Sequence, residues 1–456
     1  MKTESKAING ITEGVIWRQL LIFFFPILIG TFFQQLYNTA DAVIVGRFVG
    51  KEALSAVGGP TGSLINLLIG FFLGLSTGAS VIISQYYGAN EEENVKHAVH
   101  TSIALSIAGG IIIMVLGILI APYALRAMGT PKDIMQSSVI YITTFFLGTV
   151  FNLLYNMGSG ILRAIGDSRR PLYFLIVSCG VNIVFDVLFV GILRLGVFGA
   201  ALATILAQCI SATLVMVVLI KSKACYRVSI KEIRFEPRIL KQILKIGLPA
   251  GAQSMMYSLS NVIIQSGING FGTDVVAAWT AYSKMDGFFW MTMSAFGISI
   301  TTFVGQNFGA GLDKRVKKGI RICMTMAMSV ATLLAVILYV GCPVLLQFFT
   351  TDKEVIRIGI SMVKYFAPFY ITYVTIEILS GSLKGVGDSF IPMIITALGI
   401  CVLRVLWMFI VVPKHPHINT LMLSYPVSWV LTSIMFIIYL RYFSYLKNMF
   451  SRREFR

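Results

Sequence analysis

The sequence has 456 residues, of which 56% are hydrophobic and only 12% are charged. Soluble globular domains carry about 25% charged residues, so this composition excludes an ordinary soluble protein. The formal net charge of +17 raises the question of nucleic-acid binding, which the placement of the basic residues answers below.

Long uncharged apolar segments follow one another along the chain. No charged residue occurs between Glu52 and Glu91, or between Arg194 and Lys221. Apolar runs longer than about 18 residues are typical of transmembrane helices. We therefore predict an all-α polytopic membrane protein with twelve transmembrane helices, at about 17–46, 53–86, 98–125, 134–162, 171–193, 196–220, 240–272, 275–308, 320–349, 355–383, 390–412 and 418–440.

Basic residues are concentrated on one side of these helices. They occur near the N-terminus, in the run from Lys221 to Lys245, in the cluster from Lys314 to Arg321 and in the tail from Arg441. The connections on the other side contain few of them, such as Lys414. The positive-inside rule therefore predicts cytoplasmic termini, and the partner is the lipid bilayer rather than nucleic acid.

Two short phrases occur twice, each pair separated by 221 residues. "LRAIGDS" begins at Leu162 and "LKGVGDS" at Leu383; "GANEEENVKHAV" begins at Gly88 and "GAGLDKRVKKGI" at Gly309. In "GDS", the glycine can end one helix and the aspartate can cap the next. Phrases repeated at one offset indicate an internal duplication.

The duplication predicts the domain organisation. Six spans separate corresponding points, so both copies have the same orientation in the membrane. We expect parallel repeats that form two six-helix lobes around a central cavity. The predicted boundaries are residues 1–221 for the N-terminal lobe, 222–237 for a cytoplasmic linker and 238–456 for the C-terminal lobe.

The sequence lacks the nucleotide-binding motif of ATP-driven pumps. No G-x-x-x-x-G-K-[ST] phosphate-binding loop occurs, and the one Gly-Lys pair, Gly50-Lys51, is followed by Glu52. Any uphill transport must therefore depend on an ion gradient. We predict a transporter without enzymatic activity, catalytic residues or cofactor.

Two carboxylates inside the predicted spans of the first half are the strongest functional signal. Asp41 lies six residues before Arg47, and Asp186 lies eight before Arg194. At 1.5 Å per residue both lie about 9–12 Å below the outer surface. Asn182 is one helical turn from Asp186, and Thr204 lies at the same depth on the next span.

These four oxygen-bearing side chains can bind a cation. Carboxylate, amide and hydroxyl oxygens suit Na⁺, and a desolvated pair of carboxylates suits a proton equally well. The residues therefore do not distinguish Na⁺ from H⁺ as the coupling ion. Buried carboxylates that merely hydrogen-bond to neighbouring hydroxyls are the structural alternative.

At these residues the sequence resembles the multidrug and toxic compound extrusion (MATE) family, in its prokaryotic branch. The phrases that carry the resemblance are "FPILIGTFFQQLYNTADAVIVGRFVG", "QYYGA", "LRAIGDS" and "VNIVFDVLF". It implies a multi-pass protein of the cell inner membrane that exports organic compounds in exchange for Na⁺ or H⁺. It also implies that the first-lobe cation site consists of Asp41, Asn182, Asp186 and Thr204.

The second half offers weaker candidates. Lys284, Asp286, Glu377 and Arg404 form a candidate polar site, with either a structural role or a role in substrate binding. Glu377 resembles an acid on helix 10 of some family members, whereas their helix 7 acid has no counterpart here. Aromatic and methionine residues are expected to line a substrate cavity, at Tyr37, Met255, Met256, Tyr257, Met285 and Met291.

Pro26 lies about four turns before Asp41 and deletes one backbone hydrogen bond of the first span. We predict a kink at Pro26, which Gly30 close by makes easier. This kink is expected to act as a hinge for the cation site. Pro249 is the matching residue of the second half, 223 residues later, and lacks a downstream carboxylate.

The predicted function is export of drug-like, cationic amphiphilic compounds by a secondary antiporter that acts as a monomer. The alternative is a lipid-linked saccharide flippase of similar architecture. Such a flippase is expected to have an Arg-rich cavity, whereas the charges in the first half of this chain are acidic.

Overall fold

A computed structural model describes residues 11–444 and residue 446. Within this part of the chain all regular elements are helical and no β-strand occurs. The helices up to the linker are α1 (Ile16–Phe48), α2 (Lys51–Gly58), α3 (Pro60–Gly88), α4 (Glu92–Ala127), α5 (Lys132–Leu147), α6 (Thr149–Ala164), α7 (Arg169–Asp186), which continues into a π-helical segment (Val187–Ile192), and α8 (Gly196–Lys221).

The second set of helices follows a short 3₁₀ turn at Ile230–Glu232 in the linker. These helices are α9 (Pro237–Asn269), α10 (Thr273–Gly309), α11 (Asp313–Gln347), α12 (Lys353–Phe366), α13 (Tyr370–Gly385) after a 3₁₀ turn (Ala367–Phe369), α14 (Phe390–Thr396), a π-helical segment (Ala397–Val402), α15 (Leu403–Ile410) and α16 (Ile418–Tyr442).

Among the described residues, ten helical segments are long and apolar enough to cross a membrane, or eleven if the bent pair α5 and α6, at 49°, counts as one span. The polytopic all-α prediction is therefore confirmed. The remaining predicted span, 240–272, coincides with α9. Polar residues in its interior, among them Gln253, Asn261 and Gln265, make this helix less apolar than the ten segments counted above.

The helices form two compact units. Unit 1 contains Ile22–Gly251, and unit 2 contains residues 11–21 and the described residues from Ala252 onward. The units differ from the predicted halves at two places, because the first turns of α1 belong to unit 2 and the first half of α9 belongs to unit 1. The predicted linker, 222–237, lies entirely within unit 1.

Two glycine pairs explain why the start of α9 belongs to unit 1. Gly74 and Gly78 on α3 face Gly247 and Gly251 on α9, with three residues between the members of each pair. A Cβ atom at Gly78 would lie only 2.6 Å from the Gly247 backbone nitrogen. Small residues at this spacing allow two helix backbones to touch, which is a common mode of helix packing in membranes.

The linker is held against α4 by polar contacts within unit 1. The Lys96 ammonium lies 2.6 Å from a Glu232 carboxylate oxygen and lowers the pKa of Glu232. The backbone N–H of Ser229 donates to His100 Nε2 at 3.0 Å, and the N–H of Glu236 donates to Thr101 Oγ1 at 3.2 Å. These contacts fix the path of the chain into α9.

The repeated phrases are helix ends with the same geometry in both halves. The N–H groups of Asp167 and Asp388 donate to the carbonyls five residues earlier, each at 2.9 Å. The preceding Gly166 and Gly387 have φ angles of 98° and 93°. This is the Schellman motif, which requires a left-handed residue after the helix.

The aspartate of the first copy also caps the next helix as expected. Asp167 Oδ1 accepts hydrogen bonds from the N–H groups of Arg169 and Arg170, both at 3.1 Å. In the second copy Asp388 accepts a hydrogen bond from the Tyr439 hydroxyl instead. The repeated sequence therefore preserves a backbone turn more strictly than a side-chain role.

Candidate functional site

The four residues of the predicted cation site lie together within unit 1, on three helices. Asp41 projects from α1, Asn182 and Asp186 from the end of α7, and Thr204 from α8. The side chain of Asp41 is 6% exposed, that of Thr204 2%, and those of Asn182 and Asp186 are fully buried. The regular rise of the helices places the carboxyl groups of Asp41 and Asp186 at the same depth along the helix axes of the unit.

One hydrogen bond links α1 to α8 at this level. The Thr204 hydroxyl donates to Asp41 Oδ2 at 3.2 Å, with the Ala200 carbonyl as a second acceptor at 3.0 Å. The Asp41 carboxyl also lies near Asp186 and Asn182. Yet Asp41 Oδ1, both carboxyl oxygens of Asp186 and both amide atoms of Asn182 lack a hydrogen-bond partner among the described residues.

Such buried polar atoms are costly unless something binds them. Neither carboxyl forms an ion pair with a basic side chain among the described residues, and two nearby carboxylates repel each other when both are charged. The arrangement can therefore hold a monovalent cation through oxygen atoms, or a proton shared by the two acids. No group of three or more His, Cys, Asp or Glu residues occurs within the described chain that could hold a metal ion.

The local structure of α7 contributes to this geometry. Asn182 and Asp186 are one turn apart, so they share a helix face. Directly after Asp186 the helix widens into the π-helical segment Val187–Ile192. Short π-helical segments inside α-helices are frequent at functional sites.

Two tyrosines lie near the carboxyl pair, and Gln208 lies beside one of them. The Tyr37 side chain, which the sequence predicts to line the substrate cavity, lies beside Asp41, Asp186 and Gln208. Tyr141 on α5 lies near both carboxyls as well. Gln208 and Tyr141 were missed by the sequence argument; Gln208 could have been found from its position one turn after Thr204 on α8.

Unit 2 contains a separate cavity of about 470 Å³. Polar residues Asn261, Gln265 and Ser283 line part of it, and Asn261 and Ser283 are exposed. The rest of the lining is mainly aromatic, with one acid and one base: Tyr257, Trp279, Tyr282, Asp286, Trp290, Phe366, Tyr373, Arg404, Tyr425 and Trp429. The volume suits a drug-sized organic molecule.

Asp286 is fixed at the cavity by two neutral donors. The Tyr370 hydroxyl donates to Oδ1 and the Trp290 indole N–H donates to Oδ2. The Tyr282 and Tyr370 hydroxyls lie 3.2 Å apart. Asp286 is only 6% exposed, so these donors hold an acid in a site surrounded by aromatic rings.

Arg404 is buried and faces other rings of the same cavity. Its Nε donates to Ser428 Oγ at 2.8 Å, and its Cζ lies 3.9 Å from the Tyr425 ring centroid. The side chain is 3% exposed, and Nη2 lacks a hydrogen-bond partner among the described residues. Stacking on tyrosine is typical of guanidinium groups.

The other candidates of the second half are placed differently. Lys284 is exposed and does not line the cavity, since it lies two residues from Asp286 and points elsewhere on the helix. Glu377 accepts a hydrogen bond from the Tyr373 hydroxyl at 3.2 Å and lies beside Gly297. No ion pair joins these candidates to one another among the described residues.

Of the six predicted cavity residues, only Tyr257 lines the cavity in unit 2. Met285 is buried, while Met255, Met256 and Met291 are half-buried outside its lining. A clearer signal was present in the sequence: Trp279, Tyr282, Asp286 and Trp290 recur at three- and four-residue spacing. That spacing places them on one face of α10.

Comparison with known proteins places the chain among membrane transporters. The MatE family model matches residues 26–188 and 249–410, one match in each half of the internal duplication. The chain is 29% identical over 392 residues to "Probable multidrug resistance protein YoeA" of Bacillus subtilis, covering 84% of each protein. It is 22% identical over 353 residues to "Multidrug export protein MepA" of Staphylococcus aureus, covering 77% of this chain and 78% of that protein.

A solved structure described as MATE in the straight conformation has the same fold. Its TM-score to this chain is 0.90, with 22% sequence identity and coverage of 98% of this chain and 99% of the other. At this identity the similarity establishes the helical fold.

Proposed function

This chain belongs to the MatE family of multidrug efflux transporters, and we propose that it is a secondary antiporter that exports organic, cationic amphiphilic compounds in exchange for Na⁺ or H⁺. The observation that carries the proposal is the buried group of Asp41, Asn182, Asp186 and Thr204, in which one Asp41 oxygen, both Asp186 oxygens and the Asn182 amide lack a hydrogen-bond partner among the described residues. Acids inside a membrane are costly and mark ion pathways.

The proposed cycle uses this group as an exchange site. A cation that enters from outside binds between Asp41 and Asp186 and removes their mutual repulsion. Release of the cation to the cytoplasm restores the repulsion, which favours the conformation that accepts the next cation. The transported compound follows in the opposite direction because the two conformations bind it with different affinity.

The flippase alternative gains no support from the cavity in unit 2. Among the described residues that line this cavity, Arg404 is the one basic side chain, whereas a pyrophosphate ligand requires several. The names of two relatives that the chain matches over most of its length, a probable multidrug resistance protein and a multidrug export protein, favour the antiporter.

Expression in a bacterial strain that lacks its own efflux pumps tests the proposed function. The wild-type chain is expected to raise the minimum inhibitory concentration of lipophilic cations such as ethidium severalfold. A chain with Asp41→Asn and Asp186→Asn, produced at the same level, is the control. Equal resistance of cells with the wild-type chain and cells with the empty vector would refute the proposal.

We also propose cytoplasmic termini in the cell inner membrane, with a monomer as the transporting unit. In a chain without its native cysteines, Lys231→Cys is expected to react only with a reagent applied from the cytoplasm. Lys414→Cys is expected to react only from outside. Both side chains are exposed, so accessibility to the reagent reports the side of the membrane. The opposite labelling pattern would contradict the proposed orientation of the chain in the membrane.

A further inference from the structure

The linker, residues 222–237, has a fixed conformation within unit 1. Its Val228 is buried, and the backbone N–H of Val228 donates to the Leu219 carbonyl of α8 at 3.1 Å. The side chains of Tyr226 and Ile233 pack against the buried core of the unit. Together with the hydrogen bonds to α4, these contacts hold one face of the linker inward. The opposite face is therefore a defined surface of the protein.

The linker lies at the level where the apolar spans begin. Its hydrogen-bond partners on α4, His100 and Thr101, lie two and three residues inside the predicted span 98–125. Its partner on α8, Leu219, lies one residue inside the predicted span 196–220. At 1.5 Å per residue these positions are within about 5 Å of the ends of the apolar segments, and the headgroup layer of a bilayer is about 5–8 Å thick on each side. The linker therefore lies at the depth of the phospholipid headgroups.

The outward surface of this region is strongly basic. From Lys221 to Lys245 the chain contains eight basic and two acidic residues. All eight basic side chains are exposed: Lys221, Lys223, Arg227, Lys231, Arg234, Arg238, Lys241 and Lys245. None of them forms an ion pair within the described chain, and the acid Glu232 is bound by Lys96 of α4 instead. Clusters of about four to eight basic residues next to a transmembrane helix are typical of surfaces that bind anionic lipids.

Two large apolar side chains are exposed among these charges. Ile230 is 71% exposed and Phe235 is 45% exposed, whereas Ile233 between them packs inward. Amphipathic segments at a membrane surface place such side chains at the boundary of headgroups and acyl chains, with basic residues beside them. A free phosphate ion satisfies only the charges of this surface. A phospholipid satisfies both the charges and the apolar side chains.

We propose that the outward face of the linker binds anionic phospholipids of the adjoining membrane leaflet. Lys231 and Arg234 contact the phosphate groups. Ile230 and Phe235 lie among the upper acyl carbons. Bound lipid thereby holds the linker, and the start of α9 that follows it, at the membrane surface. This inference goes beyond the proposed antiport and does not depend on it, because the surface lies outside the cation site.

Photochemical cross-linking locates the lipid on the unmodified full-length protein in lipid nanodiscs. The probe is phosphatidylglycerol with a diazirine in the upper part of one acyl chain, and phosphatidylcholine with the same diazirine is the uncharged comparison. Mass spectrometry is expected to find severalfold more adducts of the phosphatidylglycerol probe on the peptides that contain Ile230 and Phe235. Equal adducts from both probes would overturn the proposal. The absence of adducts on these peptides would also overturn it, because the surface would then lie in water and fit a soluble acidic partner.

Two paired variants assign the lipid preference to residues. Lys231→Gln with Arg234→Gln is expected to reduce the phosphatidylglycerol adducts to the level of the phosphatidylcholine probe. Arg126→Gln with Lys132→Gln removes the same charge near the C-terminal end of α4 and is expected to keep the wild-type preference. All four side chains are exposed, so the substitutions should leave folding intact. An unchanged preference in the linker variant, or an equal loss in the control, would overturn the proposal.

Ethidium export by wild-type vesicles, measured in parallel, separates this proposal from the proposed function. Lipid-selective adducts without export would support the lipid surface and refute the antiporter. Export without lipid-selective adducts would leave the antiporter intact and refute the lipid surface.

Discussion

Asp41→Asn and Asp186→Asn are each expected to abolish gradient-driven transport, down to the rate of liposomes without protein. Each change removes one of two buried carboxylates in unit 1 and keeps the size of the side chain. The amide cannot carry the charge that binds a cation, and it does not exchange a proton. The change should leave folding intact, because these carboxyl oxygens form few hydrogen bonds in the protein.

The measurement is uptake of a fluorescent organic cation into proteoliposomes that contain the variant or the wild-type protein at equal density. Asp274→Asn serves as the matched control, because this acid is exposed at the start of α10. The control is expected to transport at the wild-type rate. If Asp41→Asn or Asp186→Asn also transports at that rate, these residues are not the coupling site.

Pro26→Ala is expected to slow export by about ten-fold, equivalent to about 1.4 kcal/mol in the activation free energy, and Pro249→Ala by much less. Both prolines lie inside long helices, α1 and α9, where each removes one backbone hydrogen bond. Pro26 precedes Asp41 on its helix. A bend at Pro26 can therefore couple the charge state of Asp41 to the shape of unit 1, whereas α9 has no carboxylate after Pro249.

The position of Pro26 in the fold supports this difference. It lies five residues after Leu21, the last residue of α1 that belongs to unit 2. The test compares the export rates of the two variants at matched expression. It also measures cation binding to the resting protein, and Pro26→Ala is expected to retain this binding. Equal export by the two variants would contradict the hinge, and Pro26 would then only produce a static kink in α1.

The sequence was sufficient to predict the helices and four of the residues that lie together in unit 1: Asp41, Asn182, Asp186 and Thr204. Uncharged runs locate the spans because a membrane requires continuous apolar segments. The shared depth of Asp41 and Asp186 followed from the regular rise of a helix. The Schellman turns at Gly166 and Gly387 followed from repeated phrases, since a left-handed residue favours glycine.

Other features depend on contacts that no local pattern specifies. The start of α9 belongs to unit 1 because Gly247 meets α3 across the fold, and a glycine in a sequence does not reveal its neighbour. The sequence predicted aromatic and methionine residues at a substrate cavity, and the cavity in unit 2 is lined mainly by aromatic rings around Asp286 and Arg404. Their meeting depends on the packing of α10, α15 and α16.

The most direct test of the central claim is transport by the wild-type protein in proteoliposomes with a Na⁺ gradient and a pH gradient imposed separately. We predict that at least one gradient drives accumulation of an organic cation against its own concentration gradient, and that dissipating this gradient stops it. The cation of that gradient should move in the opposite direction, and this flux should disappear in Asp41→Asn. Accumulation that is the same with and without both gradients would contradict antiport through the Asp41 and Asp186 site.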